Sequence, residues 1–234
     1  MERPKISVII PAKNEEKYIM NVFEGLEVQS FKDFELIVVD GGSSDKTVSI
    51  AKKYGKVIID KRKGIGTARN TGVKHAHGDI LVFLDADTKP SRELLKTYYK
   101  AITNGVVAAT GPILPLEKTN LRTKIGFKFV SILFVKVAIA IGIPTIVGSN
   151  FAAEKKAFVE INGFDEKLMT YEDWDLSKRI NKLGKIKFMN NAIVYTSIRR
   201  VKKWGIVGFF SYHVGNMIRY NLLKKPKEYY EEIR

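Results

Sequence analysis

The chain has 234 residues, 45% of them hydrophobic and 11% aromatic, with no cysteine and a formal net charge of +15. That is enough apolar material for a buried core, so a disordered or fibrous chain is excluded. The missing thiols exclude a disulfide scaffold, a thiolate zinc site and a cysteine nucleophile, and they fit a reducing compartment.

The predicted elements begin with Ile6–Ile10, an apolar run that ends at Pro11 and reads as a buried strand. A start that runs straight into this strand leads to the expectation of no secretory signal. A helix is expected from Glu15 to Val28, then a strand over Phe34–Val39 that closes on Asp40-Gly-Gly-Ser-Ser-Asp45. Asp45 is placed to cap a helix running to Tyr54. Val57–Ile59 reads as a third strand, and Gly64–Ala76 as a glycine-rich turn with a helix. Ile80–Leu84 is a fourth strand, ending at Asp85-Ala-Asp87. Ser91 is placed to cap the next helix, and Val106–Ala109 is a fifth strand. Strands alternating with helices imply a mostly parallel α/β sheet flanked by helices. Ligands of such sheets bind beyond the carboxyl ends of the strands. Three of the strands run directly into polar residues there: Lys13-Asn14-Glu15, Asp40, and Asp85 with Asp87.

The second half is less regular. Residues 129–147 are almost wholly apolar and long enough to span a bilayer, but Lys136 in the middle and Gly142 and Pro144 near the end oppose insertion. The expectation is an interfacial or partly buried helix, with Lys124, Lys128 and Lys136 reaching toward head groups. A further helix is expected over Trp204–Leu223, between basic clusters at residues 199–203 and 224–227. Eighteen positive charges fall in two tracts without any acid, residues 118–153 and 176–227. Such a face suits an anionic partner, and an anionic membrane surface fits the apolar helices best. A lysine-rich solvated surface, as in thermophile proteins, is the alternative.

Three clusters carry chemistry. Asp85 and Asp87, two carboxylates just past a strand, can converge on a hard cation, Mn²⁺ or Mg²⁺, that also takes substrate phosphates. Lys63-Gly-Ile-Gly-Thr-Ala-Arg69-Asn70 joins a glycine turn to an arginine suited to a diphosphate or to bracing an acid. Glu172, Asp173 and Asp175 open a helix with more acid than a cap requires, and one of them can serve as a general base.

Together Val8–Glu15, Val38–Thr47, Gly64–Asn70, Leu84–Asp87 and Glu172–Leu176 resemble the family 2 glycosyltransferases of GT-A fold, in order over most of the chain. The resemblance implies a GT-A domain over residues 1–195, with a nucleotide-binding half (1–110) and an acceptor half (111–195), and a basic helical extension over 196–234. It implies an inverting, metal-dependent transfer from a nucleoside diphosphate sugar to an acceptor hydroxyl or phosphate. Pro11, Ala12, Glu15 and Gly64 would line the nucleotide site, Asp40 would contact the base, and Arg69 would lie near the base or diphosphate. Asp85 would reach the ribose or the metal, and Asp87 the metal. Asp173 would be the base, with Glu172 and Trp174 beside the substrate and Ser149 and Asn150 facing the acceptor. His213 resembles the late histidine that some GT-A enzymes add to the metal. The Gln-x-x-Arg-Trp motif of processive members is absent; Arg200-Val-Lys-Lys-Trp204 only echoes it.

The basic, apolar second half adds a polyprenyl-phosphate-linked or other lipid acceptor and a cytoplasmic protein attached peripherally to the inner face of the membrane. Two other functions compete. A sugar-phosphate nucleotidyltransferase would place its glycine-rich loop after the first strand, where this chain has Pro11–Glu16. A nucleic-acid-binding module would fit the charge, but no such motif is present and the paired carboxylates would repel phosphate without a metal.

Overall fold

The computed structural model describes residues 3–205 together with residues 208, 211, 212, 215 and 219. In chain order the elements are β1 (Ile6–Ala12), α1 (Ile19–Glu27), β2 (Phe34–Asp40), α2 (Thr47–Ala51), β3 (Lys56–Ile59), α3 (Ile65–Lys74), β4 (Ile80–Leu84), β5 (Thr88–Pro90) and α4 (Leu94–Thr103). There follow β6 (Ala108–Thr110), β7 (Ile113–Pro115), α5 (Leu121–Lys128), a π-helical segment (Phe129–Phe134), α6 (Val135–Ala140), β8 (Asn150–Glu154), α7 (Lys155–Glu160), α8 (Glu172–Ile180), β9 (Ile186–Phe188) and β10 (Val194–Thr196).

Seven strands form one sheet in the order β3-β2-β1-β4-β8-β6-β9. Strands β1, β2, β3 and β4 are parallel, whereas β8 runs antiparallel between β4 and β6. Strand β4 is buried along its whole length, as is β1 except at Pro11. Helices α1, α2 and α4 cover one face of the sheet, and α3, α7 and α8 the other. Covering both faces is what makes β1 and β4 read as unbroken apolar runs rather than alternating ones. Each fully buried Val, Leu, Ile or Phe contributes roughly 1.5–3 kcal/mol. A Cβ on Gly72 would lie 2.4 Å from Ile9 Cγ2, so α3 approaches β1 more closely than any other residue would allow.

The chain steps from β1 outward to β2 and β3 on one side and to β4 on the other. This is the switch point at which a crevice opens beyond the carboxyl ends. Three further strands form a second sheet in the order β5-β10-β7. That sheet was not expected: its strands are three residues long and are set by their pairing. Ser91 also departs from expectation. Its hydroxyl is buried without a partner, and α4 starts from Glu93 with no side-chain cap.

The long apolar stretch is a helical run over 121–140, interrupted by the π-helical segment, that ends before Pro144. Among the described residues no helix is long and apolar enough to cross a membrane. Its inner face packs Phe127 with Ile113, Ile198 and Val201. Its outer face carries Leu121, Ile125, Phe129, Leu133, Val137 and Ile141, each between 47% and 71% exposed. Beyond β10 a helix begins at Arg199 and is described to residue 205. Most of the expected helix over Trp204–Leu223 and the whole tail from residue 220 lie outside the described residues.

Candidate functional site

The crevice is built from loops that lock one another. Asn14, in a left-handed conformation at φ 54°, accepts through its side chain from Ser44 N–H at 2.7 Å. Glu15 N–H donates to Thr47 Oγ1 at 2.8 Å, and Glu16 N–H to Asp45 Oδ2 at 3.1 Å. Asp40 lies at the end of β2 but is 1% exposed. Its Oδ2 accepts from Gly42 and Ser43 N–H, each at 2.9 Å, and Ser43 Oγ donates to Oδ1. The carboxylate expected to meet a base thus also holds its own turn. Pro11 is half-buried and Ala12 buried at the tip of β1, where Ala12 C=O accepts from Gly41 N–H at 2.8 Å.

Arg69 is the buried centre. Only 1% exposed, it donates to Glu172 Oε1 at 2.9 Å, to Asp85 Oδ1 at 2.9 Å and to Gly148 C=O at 2.8 Å. Burial opposes its charge, but Asp85, Glu172 and Asp173 more than offset that and raise its pKa. Arg69 therefore braces acids, the second of the two roles expected of it, and is not itself open to a ligand. Gly64, at φ 102°, begins α3, and this conformation suits glycine.

The helix α8 starts from Tyr171, itself left-handed at φ 67°, which costs about 1–2 kcal/mol. The turn sets Glu172 and Asp173 at the helix N-terminus. Asp173 Oδ2 accepts from Gly148 N–H at 3.0 Å and Oδ1 from Trp174 N–H at 2.8 Å. Burial pushes both carboxyls, Glu172 and Asp173, above the ordinary range. Trp174 lies 6.4 Å from the Tyr171 ring, with its indole N–H buried and unmatched. Ser149 is half-buried beside this loop. Asn150, expected to face the acceptor, does not. Fully buried, it accepts from Tyr98 Oη at 2.6 Å and donates to the carbonyls of Pro112 at 3.0 Å and Ala192 at 2.9 Å.

Asp87 sits after β4 with its carboxyl raised to about 7 by burial, aided by Asp85 and Glu15 and opposed by Arg199. A sunken carboxyl whose burial outweighs the pull of Arg199, with a second carboxylate two residues away, fits a hard divalent cation. Among the described residues no three acids or imidazoles gather as a complete ligand set. The fit is therefore to an ion that one or two carboxylates share with a ligand's phosphates. His213 lies outside the described residues. Sequence reasoning missed Arg199, whose fork meets Glu15 at 2.8 and 2.6 Å and Asp87 at 3.2 Å. Nothing local sets it apart from its basic neighbours.

Residues 7–161 match the family model described as glycosyl transferase family 2, and residues 130–203 one described as N-terminal domain of galactosyltransferase. The probable glycosyltransferase YdaM of Bacillus subtilis (strain 168) is 32% identical over 83% of this chain and 51% of its own length. The amylovoran biosynthesis glycosyltransferase AmsB of Erwinia amylovora is 29% identical, over 95% of this chain and 77% of its own. The chain thus spans about half the length of YdaM, and less of some others. Among solved structures, S. aureus TarS 1-349 in complex with UDP-GlcNAc matches with a TM-score of 0.66 at 23% identity, over 82% of this chain and 58% of that one. The mannosyltransferase PcManGT from Pyrobaculum calidifontis, in complex with GDP-Man and Mn²⁺, matches with a TM-score of 0.67 at 20% identity, over 92% of this chain and 65% of that one. At those identities the likeness is one of fold.

Proposed function

The chain belongs to glycosyl transferase family 2, and on that premise we propose that it moves a sugar from a nucleoside diphosphate sugar to an acceptor hydroxyl or phosphate, inverting the anomeric centre. The observation that carries the reading is the acid pattern at the switch point. Asp85 and Glu172 are bridged by one buried arginine, Asp87 lies two residues from the first, and Asp173 is next to the second.

The acceptor oxygen attacks the anomeric carbon as the bond to the diphosphate breaks, through a transition state of oxocarbenium character. The electron pair leaves with the diphosphate, and the proton of a hydroxyl acceptor passes to Asp173; an ionised phosphate acceptor carries no proton to pass on. Two main-chain N–H groups fix the direction of that carboxylate, and Arg69 stabilises its charge. A divalent cation, Mn²⁺ or Mg²⁺, on Asp87 with Asp85 alongside would neutralise charge on the leaving group. One displacement needs no enzyme nucleophile, which agrees with a chain that has no cysteine. Pro11, Ala12, Glu15 and Gly64 line the nucleotide side, Asp40 shapes it through its turn, and Ser149 and Trp174 border the acceptor side.

The acceptor in this reading is lipid-linked, and the protein is held at the inner face of an anionic membrane by its basic, apolar second half. The exposed apolar row on residues 121–141, with Arg122, Lys124, Lys128 and Lys136 exposed around it, supports this. The test is a panel of nucleoside diphosphate sugars with Mn²⁺. One of them should raise the melting temperature of wild type and of Asp173→Asn alike. The variant should then lose transfer by about 10²–10⁴-fold. A panel without effect on wild type, or a variant that transfers normally, would refute the assignment.

A further inference from the structure

Arg199 reaches the crevice from the far end of the described chain. Strand β10 ends at Thr196, Ser197 N–H donates to the main-chain carbonyl of Asp87 at 3.1 Å, and a helix begins at Arg199. The guanidinium closes on both oxygens of Glu15 and lies 3.2 Å from Asp87 Oδ2. It rests over the Tyr18 ring at 4.9 Å. Its side chain is 11% exposed, and its Nε–H is buried without an acceptor. One cation therefore serves the carboxylate after β1 and the carboxylate after β4, on either side of the switch point.

That seat is the place of the donor's diphosphate in the reading above, on which this inference rests. A divalent ion arriving alone at Asp87 would bring two positive charges within a few ångströms of the guanidinium, and the two cations would repel. A diphosphate removes the conflict by placing anionic oxygens between them. The planar fork of an arginine suits such oxygens, and the unmatched Nε–H is a donor ready for one. We infer that Arg199 is a two-position cation, closed on Glu15 and Asp87 without donor and turned onto the diphosphate when metal and donor arrive together. Metal and nucleoside diphosphate are then positively coupled, because each removes an obstacle to the other.

The experiment measures the two affinities separately on the full chain. Mn²⁺ alone is titrated by the electron paramagnetic resonance of the free ion. UDP, GDP, CDP and dTDP are titrated by calorimetry with Mn²⁺ present. In Arg199→Gln the affinity for Mn²⁺ alone should rise several-fold, while nucleoside diphosphate affinity should fall roughly tenfold or more. Arg199→Lys keeps the charge without the fork, so it should leave Mn²⁺ affinity near wild type and weaken the nucleotide by an intermediate amount. The opposite signs in the glutamine variant are what an ion pair with only a structural role would not produce. Unchanged affinities, or both falling together with the melting temperature, would overturn the inference. A wild-type chain that binds none of the four nucleotides would overturn the donor-site reading itself.

Discussion

Asp173 owes its orientation to main-chain donors, Gly148 N–H and Trp174 N–H, and its charge state to a contest. Burial raises its pKa, Arg69 and the two N–H groups lower it, and the rise prevails. A general base works only when ionised, so transfer should fall as pH drops through that raised value. The acid limb of kcat should therefore stand above the ordinary aspartate value of about 3.9. Measured at saturating donor, an acid limb at or below pH 4 would show that the proton acceptor is not this buried carboxylate. The neighbouring Arg69 illustrates how one residue type carries two readings. Its place after a glycine turn suited either a diphosphate or the bracing of an acid, and three hydrogen bonds commit it to Asp85, Glu172 and Gly148.

At the scale of elements, Asn150 ties β8 to its surroundings: to Tyr98 on α4, to Pro112 before β7 and to Ala192 before β10. Asn150→Ala would leave those buried groups short of partners at about 1–3 kcal/mol for each one unsatisfied. A loss of about 2–4 kcal/mol in urea unfolding is expected, and a change below about 0.5 kcal/mol would contradict the structural role assigned to it. The same strand marks the limit of what the sequence reveals. Strands β1, β2 and β4 were legible because burial on both faces leaves continuous apolar runs bounded by turn residues. Strand β8, Asn-Phe-Ala-Ala-Glu, carries no such run and is strand because β4 and β6 pair with it on either side. Three-residue strands such as β5 and β10 likewise exist only through partners distant in sequence. The carboxylates of the site stood out because they follow strands or open a helix. Arg199 did not, since its role arises from contacts 184 residues away.

For the molecule as a whole, the exposed row Leu121, Ile125, Phe129, Leu133, Val137 and Ile141 repeats every four residues. On an α-helix a step of four overshoots a full turn by about 40°, so such a row should wind away around the axis. The wider turns of the π-helical segment Phe129–Phe134 take back part of that drift and keep the row on one side. Around it stand Arg122, Lys124, Lys128 and Lys136, in a tract without acid from Lys118 to Ala153. At its end the chain passes from Ile141 to Gly148, whose N–H holds Asp173. In the proposed reading this short connection links a membrane-facing row to the loop that orients Asp173. Each cation near an anionic surface is worth about 1 kcal/mol at low salt, and each apolar side chain buried adds roughly 1.5–3 kcal/mol. The full chain should therefore sediment with vesicles containing anionic lipid, less at high salt and less with neutral vesicles. Ile125→Gln combined with Phe129→Gln should weaken that binding by at least tenfold, because both side chains are already exposed and the fold is not disturbed. Val159→Gln, which alters an exposed apolar residue on α7, should leave it unchanged. RNA added as a competitor separates charge alone from the apolar row. If RNA strips the protein from vesicles, or if the double variant sediments like wild type, the row is not the membrane-facing surface and the acceptor need not be a lipid.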